Sequence, residues 1–234
     1  PRSPAPVVRR AAGGDVVTPE RPLRVAQAEN GTDLGNGGTA ARIEEAALEL
    51  FFVRGYKSTS MRDIAQALGI TAAALYNHYP SKDQILYAMV SRLHQELEGA
   101  LLAALEAAGP DPRDRLGALV RAHALIHTKY RKDAHVANSE IFSLIEPGRD
   151  EVIASRRRMR DSFQAEIGAG VERGVFRVED ALVATFAIIN MGIRIAEWFV
   201  PGGRLTAEQV ADMHAELALR MVGARPRRNR NGTR

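Results

Sequence analysis

The sequence predicts an all-α protein in two helical parts, and three observations carry that expectation. Apolar residues recur at three- and four-residue spacing over most of residues 39–223, with no alternating stretch of strand length between them. Glycine and proline clusters fall between these periodic segments rather than inside them. Residues Ser58 to Lys82 hold two short helical patterns separated by a tight turn at Gly69.

Taken in order, residues 1–38 carry Pro4, Pro6, Pro19 and Pro22, then Gly31, Gly35, Gly37 and Gly38. Such a segment buries too little apolar area to offset its ordering entropy, so a disordered arm is expected. Its Arg9, Arg10, Arg21 and Arg24 could meet phosphates or a minor groove, but Asp15, Glu20, Glu29 and Asp33 nearly cancel them. Thr39–Arg54 reads as an amphipathic helix with Ile43, Ala47, Leu50 and Phe51 on one face, ended by Gly55. Ser60, three residues before Asp63, forms a capping-box pattern that opens a second helix with Ile64, Ala65 and Leu68 inward. Gly69 supplies a left-handed stop. Thr71 caps a third helix with Ala74, Leu75 and Tyr79 apolar, closed by Pro80. Phe51, Ile64 and Leu75 are expected to meet in one small core.

Beyond Ser81, with Gln84 three residues on, a long helix runs to about Ala108. Gly109-Pro110-Asp111-Pro112 ends it and starts the next, with Asp111 as cap and Pro112 in the first turn. Further helices are expected at about 112–130, 134–145, 149–173, 179–199 and 206–223, a packed bundle with short connections. The basic end, 224–234, is expected to be disordered.

Two short helices around a glycine turn make a helix-turn-helix, whose second helix can enter a major groove. Composition limits the alternatives. With no cysteine, disulfides, thiolate metal sites and thiol catalysis are excluded. No apolar run is expected to approach the ~20 residues of a membrane span, and no leader pattern is evident, so a cytoplasmic protein without membrane contact is the default. The net charge of +4 permits nucleic-acid binding, yet the basic excess sits mostly in the C-terminal tail. No Gly-rich phosphate loop, nucleophile elbow or carboxylate pair is visible, so no catalytic residue and no cofactor is assigned.

A wider pattern sharpens this. Ala46-Ala47-Leu48-Glu49-Leu50-Phe51, Gly55-Tyr56, Thr59, Asp63-Ile64-Ala65, Gly69-Ile70, Leu75-Tyr76, His78-Tyr79, Ser81-Lys82 and Leu86 closely resemble the N-terminal domain of TetR-type transcriptional regulators. The resemblance covers residues 40–90 without a gap. It departs from the commonest form at Thr71, where Ser is usual, and at Ala73, where Gly or Pro is frequent. It implies a homodimer on a palindromic double-stranded operator. Domains are then expected as a DNA-binding domain at 39–86 and a ligand-binding and dimerisation bundle at 87–223. Tyr76, His78 and Lys82 would hold phosphates, and Asn77 would read a base. Thr59, Ser60 and Arg62 would touch the DNA backbone, with Arg42 near enough to reach a phosphate. Thr71, Ala72 and Ala73 stand at the start of the reading helix, where backbone amides favour phosphate and alanines can lie against thymine methyls.

For the second part, residues 183–200 are apolar on most sides, with Arg194 and Trp198 four apart as exceptions. A cation beside an indole suits an anionic effector with an apolar body. The ending Arg194-x-x-x-Trp198-Phe199-x-Pro201-x-Gly203-Arg204-Leu205 is similar to that of actinobacterial TetR-type regulators of lipid and sterol breakdown, several of which sense acyl-CoA thioesters. The expected effector residues are Arg194, Trp198, Met191, Asn190 and His127. Arg156, Arg157, Arg158 and Arg160 are further cations for a CoA ligand, although such a run is more often a solvated face. His123 and His127 are spaced for a shared metal, but Ala124 stands where the zinc-protease pattern has Glu, so no metal is assigned. Val210, Met213, Leu217 and Met221 form an apolar stripe on the last helix, where the family builds its four-helix dimer interface. The resulting expectation is a repressor released by a small molecule, an acyl-CoA or other lipid-catabolism intermediate. An unrelated hydrophobic or drug-like effector is the alternative, or, in a different class, an all-helical protein-interaction module.

Overall fold

The computed structural model describes residues 36–225; the expected arm up to residue 35 and the tail from residue 226 lie outside the described residues. Among the described residues there is no strand, and ten α-helices and one 3-10 turn account for the fold. The first part comprises α1 (Asn36–Arg54), α2 (Met61–Leu68) and α3 (Ala72–Tyr76). Helix α1 begins ahead of the expected Thr39.

Local chemistry sets the turns. The Ser60 hydroxyl accepts from the Asp63 amide at 3.2 Å while the Asp63 carboxylate accepts from the Ser60 amide at 2.7 Å, so the capping box closes in both directions. Hydrogen bonds to the carboxylate from the Ser60 hydroxyl and then the Ser60 amide hold the Asp63 carboxyl below the usual carboxylate range. Gly69 takes φ +67°, and the amide of Ile70 reaches back to the Ala65 carbonyl at 3.1 Å, turning the chain into α3. Thr71 then accepts from the Ala74 amide at 3.1 Å. Phe51, Ile64 and Leu75 are all buried in one apolar cluster with Ile43, Met61 and Leu86.

Helix α4 (Lys82–Ala107) carries the chain onward from its Ser81 cap. Its buried residues run from Ile85 and Leu86, packed with the first three helices, to Leu97 and Leu101 in the bundle. The domain boundary expected at residue 86 therefore falls inside a single helix. The bundle adds α5 (Pro112–Lys129), α6 (Arg131–Ser139), a 3-10 turn at Ile141–Ser143, α7 (Gly148–Glu172), α8 (Ala181–Ile193), α9 (Ile195–Trp198) and α10 (Ala207–Met221). Helix α5 is the central post, packed on α4, α7, α8, α9 and α10. Two expected helices are divided. The segment 134–145 ends as α-helix at Ser139, and the segment 179–199 breaks at Arg194 between α8 and α9.

The window Ala181–Trp198 does reach the length and composition of a membrane span, contrary to the expectation that no run would. Its apolar character serves packing on one side, since Ile188, Ile189 and Ile195 are buried in the bundle.

Small α6 ties the two parts together. Lys132 pairs with Glu49 of α1, and His135 meets Phe52 edge to face at 5.2 Å. Arg92 of α4 pairs with Glu44 of α1 and lies 3.6 Å from Asp133 of α6. Glu44 also accepts from the Tyr79 hydroxyl at 2.6 Å, which fixes the end of the helix-turn-helix to α1.

Leu75, fully buried, is the one side chain of α3 that anchors it. Leu75→Ala is expected to lower unfolding free energy by about 2–5 kcal/mol in urea titration. The exposed Leu102→Ala is expected to change it by less than about 0.5 kcal/mol.

Candidate nucleic-acid interface and effector cavity

The outer face of the helix-turn-helix presents Tyr76, half exposed at 51 %, with exposed Asn77 and half-buried His78 directly after α3. Ala73 is exposed and Ala72 half-buried at its start, and Arg62 is exposed on α2. Arg42 is exposed on α1. These residues lie on one short stretch of surface chain, except Arg42, which belongs to a separate element.

Two expected contacts, Thr59 and Lys82, are turned to partners inside the protein. Thr59 is buried, and its hydroxyl donates to the Gly55 carbonyl at 2.9 Å, which takes the side chain away from any phosphate. Lys82 Nζ donates to the carbonyls of Tyr56 and Thr59, each at 2.7 Å, and lies 4.1 Å from the centre of the Tyr56 ring. The ammonium thus closes the loop before α2 and has one N–H remaining for a phosphate. The hydroxyls of Ser60 and Thr71 serve as helix caps. Nearby, burial and a 2.6 Å hydrogen bond to Asp83 push the Tyr56 hydroxyl well above the usual range, so it stays protonated. The loop is held by side chains that sequence patterns assign to DNA.

A cavity of about 290 Å³ opens in the bundle between α4, α5, α6, α7 and α8. Leu93, Leu97, Ile126, Ile153, Ile189 and Ile193 give it an apolar wall. His94, His123, His127, Asn138 and Arg156 supply polar atoms, and Arg157, Arg160, Phe186 and Asn190, with Ala137 and Met159, complete the lining. Arg157, Phe186 and Asn190 are exposed whereas His123 is 2 % exposed, so the first three mark the open side and His123 the closed end. Arg157 makes no ion pair among the described residues, and Arg160 pairs with its neighbour Asp161.

Arg156 is the centre of this arrangement. Its Nε lies 3.2 Å from His94 Nε2, and one terminal nitrogen donates to the Ala137 carbonyl at 2.9 Å and to Asn138 Oδ1 at 3.1 Å. Burial lowers its affinity for the proton, without making it neutral at any ordinary pH. The histidines are held neutral by the same cause. Burial lowers His94 and takes His123 well below the ordinary range; in His123 the nearby His127 and His214 add to the effect. His127 is lowered to about 4, mainly by burial.

Of the effector residues expected from sequence, Asn190 and His127 line this cavity, whereas Arg194, Trp198 and Met191 do not. The helix break at Arg194 explains the first two. The expected common face assumed one continuous helix, but Arg194 pairs with Glu197 at the surface and Trp198 stacks on His214 with ring centres 6.0 Å apart. Met191 is half-buried against the core. The basic run on α7 is divided by its periodicity. Arg156, Arg157 and Arg160 face the cavity, and Arg158 pairs with Glu98. The sequence signal for His94 is weak: it shares a face of α4 with Leu97 at i, i+3, a spacing that any core-facing helix shows. No group that could hold a metal occurs among the described residues.

Among the described residues, an all-helical chain with a helix-turn-helix at one end and a cavity open on one side in the other part fits a ligand-regulated DNA-binding protein. Residues 43–89 match the model for bacterial regulatory proteins of the tetR family, and residues 109–222 match the tetracyclin repressor-like C-terminal domain. A bacterial regulatory protein in the tetR family from Rhodococcus RHA1 is 35 % identical with a TM-score of 0.73, over 80 % of this chain and 98 % of its own. AibR, solved with isovaleryl coenzyme A and operator DNA, is 30 % identical with a TM-score of 0.69, over 79 % of this chain and 98 % of its own. The transcriptional repressor KstR2 of Rhodococcus jostii is 27 % identical over 79 % of this chain and 91 % of its own length. The chain belongs to the TetR family, and it is a DNA-binding transcriptional regulator.

The neutral histidines make stability depend on pH. His127 takes a proton near pH 6.5 when unfolded and near pH 4 when folded, so the unfolded state gains the proton first as pH falls. Above pH 6.5 this group has no effect; between 6.5 and about 4 it is expected to remove ~3 kcal/mol of stability. In urea titrations at pH 7 and pH 4.5, His127→Gln is expected to show a smaller drop than the unaltered chain. An equal drop would place the loss elsewhere.

Proposed function

We propose that this regulator is a homodimeric repressor, released from a palindromic operator when an acyl thioester enters the bundle cavity. The observation that carries the reading is the junction at Arg156: the cavity's cation holds the end of α6, and α6 holds the helices that carry the helix-turn-helix. AibR, which shares the fold along nearly its whole length, has been solved with both isovaleryl coenzyme A and operator DNA, and this supports the ligand class. The KstR2 relatives carry the word repressor in their names, which supports the direction of control.

A cavity of about 290 Å³ is at the small end of ligand pockets, which run from about 300 to 1,000 Å³. It suits the acyl portion, with the nucleotide outside against Arg157 and Arg160 at the open side. A planar guanidinium matches phosphate oxygens in bidentate fashion. On the DNA side, Tyr76 and His78 hold phosphates, Arg62 and Arg42 add charge, and Asn77 meets base edges with Ala72 and Ala73 near thymine methyls. Lys82, Thr59, Ser60 and Thr71 act chiefly by fixing the loop and the caps.

The dimer face is formed by Met213, Leu217 and Met221 of α10 with Leu182, Val183 and Phe186 of α8, all apolar and exposed. Val210 of the expected stripe turns inward instead. Twofold symmetry then sets two reading helices about 34–36 Å apart, one helical turn of DNA. In the unliganded state Arg156 restrains α6. A ligand oxygen that competes for the guanidinium favours a conformer in which α6, and with it α1 and α4, sits differently. Release requires that the ligand bind this conformer more tightly.

The test is selection of a site from a random duplex pool, then fluorescence anisotropy on the selected duplex. A dimer neutralising about eight phosphates is expected to give a slope of log K against log salt near −7. Tyr76→Ala is expected to weaken binding at least tenfold, and isovaleryl or longer acyl-CoA to release the duplex. A shallow slope, with indifference to Tyr76→Ala, would contradict the reading.

A further inference from the structure

The charges that line the cavity do not balance. Arg156, Arg157 and Arg160 face it, and no aspartate or glutamate does. Arg160 is answered by its neighbour Asp161, and Arg157 is exposed to water. Arg156 has neither remedy. It is half-buried, and among the described residues it pairs with no carboxylate. The acid of α4 that stands on this side of the bundle, Glu98, is turned to the Ser155 hydroxyl and to Arg158 instead.

A hydrogen-bond count shows where the missing charge would sit. Of the five N–H groups of a guanidinium, Nε–H is directed at His94 Nε2, and Nη2 donates to the Ala137 carbonyl and to Asn138 Oδ1. Both N–H groups of Nη1 are left without a partner among the described residues. Nη1 is not sealed in the protein either, since His123 Nε2 is the one fully buried side-chain atom among the described residues that lacks a partner. All three acceptors already in place are neutral. His94 belongs among them because its Nδ1 lies 2.8 Å from the Val90 carbonyl and carries the proton, leaving Nε2 to accept. A cation drawn partly out of water and given only neutral partners is stabilised when an anion joins it. Leu93, Leu97, Ile126 and Ile189 meanwhile offer a wall for methylene groups.

We propose that the effector carries a second anionic group, a carboxylate at the end of its acyl chain far from the thioester, seated on Nη1 of Arg156. The ligand class is then the coenzyme A monothioesters of dicarboxylic acids. An ionised carboxylate only accepts, which matches the two free donors, and a charge-assisted hydrogen bond is about twice as strong as a neutral one. A plain alkyl end leaves the cation uncompensated. An ester or ketone oxygen supplies the hydrogen bond without the charge. A carboxylate also competes better than either for a guanidinium now held by neutral oxygens of Ala137 and Asn138, so it is the ligand group best able to loosen α6. This proposal rests on the cavity being an acyl-CoA site and narrows the acyl group to one with a carboxylate end.

The experiment is calorimetric titration of the full chain with matched acyl-CoA sets of five, six and eight carbons. Each set holds a plain acyl-CoA, its counterpart with the terminal methyl replaced by a carboxylate, and the methyl ester of that carboxylate. The carboxylate member is expected to bind at least tenfold more tightly than both others at one chain length. Arg156→Gln is expected to bring the three members within about threefold of one another, whereas Arg156→Lys, which keeps the charge, retains part of the preference. Arg157→Gln is expected to weaken all three alike. If the plain or ester member binds the unaltered chain as tightly as the carboxylate at every length, the carboxylate proposal fails and the acyl-CoA reading stands. A preference that survives Arg156→Gln and is lost in Arg157→Gln would place the carboxylate at the open side and also overturn the proposal. If no member of any set binds, the acyl-CoA reading fails and the proposal goes with it. Should a variant not fold, the comparison on the unaltered chain decides alone.

Discussion

The half-buried guanidinium of Arg156 is the interaction on which the arrangement of the two parts depends. A cation partly removed from water needs acceptors, and three of this one's five N–H groups find them without a carboxylate, in an imidazole nitrogen, a backbone carbonyl and an amide oxygen. Those acceptors come from α4 and α6, while Arg156 itself stands on α7. Three helices are thereby joined at one point beside the cavity. The opposite end of α6 is joined to α1 through Lys132 and His135. A ligand that alters the hydrogen bonding at Arg156 acts on an element already in contact with the DNA-binding part. No longer chain of intermediates is needed.

The same economy appears at the helix-turn-helix. Helix α3 is only five residues long and has one fully buried side chain, Leu75, so its orientation is imposed from outside. Tyr79 reaches Glu44, Tyr56 reaches Asp83, and Lys82 reaches back over the loop to Tyr56 and Thr59. Several polar side chains that look like surface contacts in sequence hold the reading helix in place. The residues left facing outward, Tyr76, Asn77 and Ala73, are few. In the dimer proposed above, so few contacts would leave the burden of fixing DNA geometry to the spacing of two copies.

Much of the fold was legible because it rests on local chemistry. The Ser60–Asp63 box, Gly69, the Thr71 cap, Ser81 and Asp111-Pro112 each act within four residues, and all stand where the sequence put them. What was not legible depends on distant partners. Arg194 and Trp198 looked paired because periodicity alone runs through residue 194; the helix breaks there, and Glu197 and His214 claim the two side chains. Thr59 looked like a phosphate contact until its burial against Gly55 was visible. In the basic run of α7, neighbours in sequence have opposite fates, with Arg156 inside and Arg158 on Glu98. His123 and His127 announced their common face at i, i+4, but only tertiary packing makes one of them an orphan.

The central claim is that cavity and operator are two sites on one thermodynamic cycle. Reciprocal coupling tests it most directly: the affinity of an acyl-CoA for the free protein and for the protein–operator complex, set beside the affinity of operator with and without that acyl-CoA. Coupling of this kind must give the same factor from both sides, and a value of about 5- to 150-fold is expected. Tight acyl-CoA binding that is unchanged by operator would contradict the account, since a ligand with equal affinity for both conformers shifts nothing.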